Sequence, residues 1–405
     1  MTNKELWLWI TASFGPANKR KWEVMSGYES IESFYSDFLR ENIKTLTDDE
    51  RTRMKSVTED KIKQIVYYCN SKGINIYCYD DDEFPQRFKD IFNPPSVLFV
   101  LGDISEIDSS VIVSFCGARE LTEYSEKFEK SVVGDLVKTG VLIASGIQVG
   151  ADMTASFEAY NRGAKNYAVL GCGLEYEYPK GSRDLVNKIA ENGAVISEYF
   201  PNHKPRTKDF HFRNRLIAAL GLGVVIVQAA AKSGSLSIAE FALNQGKDIF
   251  VFSPGNVFDP CYEGNIRLLR DGALPVFSAR DILNEYKNNY SHRLTFSKRF
   301  TDSVSSSEIN PFERARVKKN NKNSKFSSEN KVVITEPDVD YSDLSESSKL
   351  VVESLKNKTL LIDEISEITG IDIMSLNLEL TELEISGIVK ALPGGRYSIK
   401  NGATP

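Results

Sequence analysis

The chain predicts an α/β protein: a doubly wound, mostly parallel sheet, with a small helical domain before it and a winged-helix domain after it. Three observations carry that reading. Between residues 107 and 286, short apolar runs recur, most of them ending in a small-residue turn and followed by an amphipathic segment. Strand, turn and helix in that order is the repeating unit of an open parallel sheet. Most of the runs are continuous, as expected for strands buried on both faces. Finally, residues 344–400 hold three amphipathic segments followed by two short runs around Pro393-Gly394-Gly395.

Residues 1–80 read as helical, because Trp7, Ile10 and Phe14, then Ile31, Phe34 and Phe38, then Ile62, Ile65 and Val66 recur at helical spacing. These stripes are read as core. Gly15-Pro16 and Gly27 break the region into short helices. Ile74–Tyr79 and Val97–Leu101 read as strands. The sheet domain, residues 81–286, then takes Val111–Cys116, Val141–Ala144, Tyr167–Leu170, Val195–Ser197, Val224–Val227 and Ile249–Phe252 as strands. Helices are predicted over Ser125–Lys138, Met153–Asn161, Arg183–Glu191, Arg213–Leu220 and Leu236–Asn244. Residues 287–343 read as a flexible basic linker: from Lys287 to Lys331 there are eleven Lys or Arg against four Asp or Glu. Residues 344–405 form the winged helix, with helices over Ser347–Lys356, Ile362–Thr369 and Met374–Ser386.

Length and composition bound the function. A chain of 405 residues with 41% hydrophobic and 26% charged residues is a globular protein of two or three domains. No apolar run is long enough to span a membrane, and Met1–Ile10 does not read as a signal peptide. The five cysteines are scattered without a CxxC pair, so neither disulfides nor zinc is expected, and a cytoplasmic location fits. The net charge of −6 argues against a surface that grips nucleic acid everywhere, but allows a local basic cleft.

The candidate chemistry lies in the turns. Glycines at Gly117, Gly146, Gly171, Gly173, Gly234 and Gly255 follow apolar runs. In a parallel sheet such turns gather where the strands end and ligands bind. Helix N-termini that follow them offer free N–H groups to phosphate. Arg119 stands beside Gly117, where its guanidinium can fork onto a phosphate. Phe210-His211-Phe212-Arg213-Asn214-Arg215 is read as opening a helix, which sets two arginines at the positive end of its dipole, an arrangement that favours a bound anion. Lys232-Ser233-Gly234-Ser235 opens another helix without the spacing of a Walker A loop. A lone Gly-x-Gly at 171–173 does not make a dinucleotide fingerprint, so no cofactor is expected. Asp152 is read as a cap for the helix that follows it. The third winged-helix segment carries acids and no Lys or Arg, which favours a protein partner over duplex DNA there.

Taken together, these segments resemble the bacterial DNA-processing protein A family, DprA or Smf. The likeness runs from about residue 80 to residue 285. It is carried by Asp82-Glu83-Phe84-Pro85, Pro94-Pro95-Ser96-Val97-Leu98-Phe99, Gly117-Ala118-Arg119, Ser145–Asp152, Ala168–Leu174 with Tyr178-Pro179, Arg213–Ala218, Ser233–Leu236, Pro254-Gly255 and Gly264-Asn265. The resemblance implies an extended Rossmann-like domain after a SAM-like helical domain. It implies a homodimer that binds single-stranded DNA and loads the RecA recombinase on it, displacing or accommodating single-strand-binding protein. By the same route Arg119, Ser145, Gly146, Arg213, Arg215, Lys232, Ser233, Gly234 and Ser235 line the strand pocket. Gly117, Gly171, Gly173, His211, Asn214, Pro254, Gly255 and Asn265 are expected at the same interface, and no catalytic residue is assigned. Ala118, Ala151, Ser156, His211, Gln228 and Ile238 depart from the family's usual residues. Two other readings use the same sheet: a nucleotide phosphoribohydrolase, whose Gly-Gly-x-Gly-Thr loop is missing here, and a nucleotide sensor signalling through the winged helix.

Overall fold

The computed structural model describes residues 1–295 and 345–399, except 357, 387 and 393–395. It divides into two compact units, with the break at Asn310–Pro311. The linker expected over 287–343 lies outside the described residues from 296 onward. Its first residues do not behave as linker: Leu294 is buried in the core and Thr295 N–H donates to the Thr139 carbonyl at 2.9 Å.

The first unit begins with five helices, α1 (Asn3–Phe14), α2 (Arg20–Met25), α3 (Ile31–Leu39), α4 (Asp48–Ser56) and α5 (Glu59–Ser71). Thr2 with Glu5, and Thr47 with Glu50, close reciprocal capping boxes at α1 and α4, which satisfies N–H groups the helices leave open. Leu6 to Ile10 are all buried, so α1 is apolar on every side and runs through the middle of the group. The Trp9 indole N–H reaches the Met54 carbonyl at 3.2 Å and ties α1 to α4.

The sheet has nine strands: β1 (Asn75–Cys78), β2 (Val97–Gly102), β3 (Ile112–Cys116), β4 (Leu142–Ser145), β5 (Asn166–Leu170), β6 (Ala194–Ser197), β7 (Gly223–Ile226), β8 (Asp248–Phe252) and β9 (Leu274–Val276). Their order is β1-β2-β6-β5-β4-β3-β7-β8-β9. The seven from β6 to β9 run parallel, and β2 and β1 are added antiparallel beyond β6. The sheet is therefore mostly parallel and wound outward from β3 in both directions, as the strand–turn–helix series predicts. The helices between the strands are α6 (Gln86–Lys89), α7 (Glu123–Val137), α8 (Ala151–Asn161), α9 (Arg183–Asn192), α10 (Thr207–Leu220), α11 (Leu236–Asn244) and α12 (Glu263–Arg270), and α13 (Ala279–Tyr286) follows β9.

Alternate residues of the strands feed separate cores. On one face α6, α10 and α11 cover Ile112, Tyr167, Val169 and Val224. On the other, α7, α8 and α13 cover Val113, Phe115, Val225 and Phe250. The N-terminal helices and α9 continue that second layer over Val97, Phe99, Ala168 and Val195. The helical segment thus shares a core with the sheet.

One buried group is chemically out of place. Glu129 on α7 is 0% exposed, and neither carboxylate oxygen has a hydrogen-bond partner among the described residues. Burial pushes its pKa well above the usual carboxylate range, and the Asp152 charge adds to the shift. The folded form keeps the proton while the unfolded chain releases it, so stability falls as pH rises above the ordinary Glu range. Glu129→Gln removes this linkage. In urea unfolding between pH 5 and 8, the loss of stability with rising pH is expected to be shallower for the variant, by up to about 1.4 kcal/mol per pH unit where the wild-type residue stays neutral. Identical slopes would contradict the assignment.

The second unit has helices α14 (Glu346–Ser354), α15 (Ile362–Thr369) and α16 (Ile373–Ile385) and a three-stranded sheet, β10 (Leu360–Leu361), β11 (Val389–Leu392) and β12 (Arg396–Ile399), in the order β10-β12-β11. Val351, Ile365, Leu376, Leu380 and Val389 make its core. The helices and hairpin fall where the periodicity places them. β10 is two residues long, too short for a sequence pattern to show.

Candidate functional site

The chain leaves β3 and β7 toward opposite halves of the sheet, and these two strands are neighbours. Loops that diverge from adjacent parallel strands leave a crevice between them. A cleft of about 790 Å³ lies there, formed by Cys116–Arg119 after β3, Ala230–Ser235 after β7, Gln148 and Asp152 from the β4–α8 turn, and the first turns of α10. The sheet class was legible in the sequence, and this position in it follows from the strand order.

Arg119, Arg206 and Lys232 line the cleft with exposed side chains, and none of the three makes a side-chain hydrogen bond among the described residues. Asp152 is the one carboxylate in the lining, and burial pushes its pKa up to about 6 against the opposing pull of Arg213. The cleft is therefore electropositive. Two helices begin at it, α10 after Arg206 and α11 after Ser235, neither with a side-chain cap among the described residues. The first N–H groups of α11 donate to the carbonyls of Ser233, Gly234 and Ser235, whereas those of Thr207 and Lys208 in α10 make no such bond among the described residues, so α10 is the N-terminus that can receive phosphate. The Ser233 and Ser235 hydroxyls bond each other at 2.7 Å beside the start of α11. Phe210 and Tyr178 add an aromatic wall, their rings 4.9 Å apart. Such a surface offers charge, N–H donors and ring faces, which is what a sugar–phosphate chain with unpaired bases requires.

Of the residues singled out from sequence, Gly117, Arg119, His211, Arg213, Asn214, Lys232, Ser233, Gly234 and Ser235 line this cleft. Ser145, Gly146, Gly171, Gly173, Arg215, Pro254, Gly255 and Asn265 are not among its lining residues. Ser145, Arg215 and Asn265 among them are buried. The Ser145 hydroxyl bonds that of Ser156 at 2.7 Å. Gly171 lies against the Phe210 ring, and Gly255 against the Tyr124 ring. Asn265 is fully buried and joins strand ends, accepting from Ala229 N–H at 2.7 Å and donating to the Val227 and Phe252 carbonyls.

The two arginines of α10 require a correction. The helix begins at Thr207, six residues before Arg213, so neither Arg213 nor Arg215 sits at its positive end. Arg213 is 2% exposed and donates through Nη1 to the Gly146 carbonyl at 2.9 Å and the Val169 carbonyl at 2.5 Å. It is a post beneath the cleft that holds the ends of β4 and β5. Arg215 is 3% exposed and grips both oxygens of buried Glu198, at 2.9 and 2.8 Å. Asp152 likewise is not the cap of α8. It lies in the first turn and accepts from Gln148 N–H at 3.3 Å, while Gly150, with φ of 89°, occupies the cap position.

Gly146 is needed for space. A Cβ there would lie 2.1 Å from Arg213 Nη1 and 2.4 Å from Asp152 Oδ2, both held in place. Gly146→Ala is expected to cost about 1–3 kcal/mol in urea unfolding, the usual range for overpacking a buried site.

Sequence reading missed Arg206, Thr207, Phe210 and Tyr178 as cleft residues. Pro205 directly before a polar run ending in Asp209 was the available start signal for α10. The apolar periodicity that marks the helix only becomes clear further along.

Comparison with known proteins agrees with this architecture. Residues 75–287 match the family described as DNA recombination-mediator protein A, and residues 335–395 match the DprA winged helix domain. The DNA processing protein DprA of Bacillus subtilis is 32% identical over 225 residues, covering 56% of this chain and 75% of that protein. Its counterpart in Streptococcus pneumoniae is 34% identical over 207 residues, covering 51% of this chain and 72% of that protein. The X-ray structure of DNA processing protein A from Streptococcus pneumoniae superposes with a TM-score of 0.62 at 27% identity, over 73% of this chain and 99% of that one. The strand order, the cleft at its switch point and a family match over more than half of the residues lead to one conclusion: this chain belongs to the DNA recombination-mediator protein A family.

Proposed function

We propose that the protein binds single-stranded DNA without reading its sequence, and that as a homodimer in the cytoplasm it hands the strand to the RecA recombinase in the presence of single-strand-binding protein. The observation that carries the binding step is the switch-point cleft, where three exposed cations face one buried carboxylate beside the uncapped N-terminus of α10. These groups recognise phosphate, which every nucleotide has, and they carry no code for bases. The Phe210 and Tyr178 rings accept any base face. Family membership supports the link to recombination.

Fluorescence anisotropy with a labelled single strand, its duplex and a salt series tests the reading. Preference for the single strand, weakening as salt rises, is expected. Equal affinity for both forms, or none, would refute it. RecA-catalysed strand exchange on strands pre-coated with single-strand-binding protein tests the hand-over, and sedimentation tests the dimer.

The winged helix is proposed to dock a protein. Its third helix, α16, carries Glu379, Glu382 and Glu384 and no Lys or Arg, whereas a helix lying in a major groove brings cations to the phosphates. Removing residues 345–405 is therefore expected to leave oligonucleotide affinity within about twofold in the anisotropy assay.

A further inference from the structure

Beside the cleft lies a second groove of about 960 Å³, between the Phe14–Lys19 turn that follows α1 and the outer faces of α10 and α11. Arg206 and His211 line both, so the two depressions are continuous around the first turns of α10. The groove is rich in rings. Phe92 is 83% exposed and Phe212 44% exposed, and the His211 ring lies 5.6 Å from that of Phe241. Its exposed charges are cationic. Lys208 and Arg206 are exposed at the rim, while the carboxylate of Asp209 is engaged by His203 at 2.7 Å.

The walls are built in advance. Lys21, 0% exposed, donates to the carbonyls of Gly15 and Pro16 and fixes the turn. Asn93 donates to the Ala17 carbonyl at 2.8 Å and accepts from Arg215 Nε at 3.0 Å, which ties the same turn to α10. A groove already ordered charges its ligand little for ordering. Exposed rings beside the exposed cations Arg206 and Lys208 suit unpaired bases joined by phosphates, because each base has a stacking face and each phosphate a negative charge.

We infer that this groove takes the bases of the same strand whose phosphates cross the cleft, so that the single strand turns around the start of α10 and continues between the helical segment and the sheet. The inference rests on the proposed binding of single-stranded DNA. Phe92 and Phe212 lie in the groove and outside the cleft, which separates the two. Anisotropy with labelled oligothymidylates of about 4 to about 16 nucleotides, the range of single-strand site sizes, reads the outcome. For the wild type, affinity is expected to climb with length. Phe92→Ala/Phe212→Ala is expected to bind the longest strand about tenfold more weakly and the shortest unchanged, with Phe92→Tyr/Phe212→Tyr restoring the loss because the ring is kept. A length dependence intact in the alanine variant, or the same loss at every length, overturns the inference while single-strand binding stands. A wild type that binds no oligonucleotide overturns the reading beneath it as well.

Discussion

Replacing Arg119, Arg206 and Lys232 together by alanine is expected to weaken single-strand binding about 100- to 1,000-fold at low salt and leave the fold intact. Each side chain is exposed and makes no side-chain hydrogen bond among the described residues, so its removal leaves no buried group without a partner. On the proposed reading each neutralises one phosphate. For a single strand the slope of log affinity against log salt changes by about 0.7 per phosphate contact, so the triple variant should flatten that slope by about 2. The loss should be similar for strands of different sequence, because phosphate contacts carry no code. An unchanged salt slope in the anisotropy titration would place the strand elsewhere.

Arg215→Ala is expected to behave in the opposite way. It should lower the free energy of unfolding by about 3–5 kcal/mol, read from urea denaturation, because the buried Glu198 carboxylate would lose the guanidinium that compensates it. The Asn93 and Phe212 carbonyls lose a donor at the same time. Removing both members of the pair, as Glu198→Leu/Arg215→Met, should cost less than the sum of the single changes, since no charge is left alone. Affinity for the shortest oligonucleotides, which occupy only the cleft, should be close to that of the wild type per folded molecule. A stable Arg215→Ala that fails to bind these short strands would mean that the guanidinium touches the strand after all. The two experiments divide the arginines by burial, although residue type alone makes them look alike.

The strand–turn–helix series was visible in the chain because strands buried on both faces are written as continuous apolar runs, and six of the nine strands stand out that way between residues 107 and 286. β9 did not stand out, being three residues long with a proline in it. Gly117, Arg119 and Lys232–Ser235 were legible as cleft residues because the turn after a parallel strand can only lie at one end of the sheet.

The arginines of α10 were not legible. A charged residue in a helix carries no mark of which way it faces or what awaits it, and here Glu198 and the carbonyls of Gly146 and Val169 draw two arginines inward. The strand order was likewise outside the reach of local pattern. Whether β7 returns beside β3 is decided by long-range pairing, and that pairing alone creates the switch point and its crevice. The sequence by itself determined which elements exist and which turns bear glycine and charge, since these depend on neighbours along the chain. Only the tertiary structure decided which cations remain at the surface, because burial and pairing depend on residues that lie far apart in sequence.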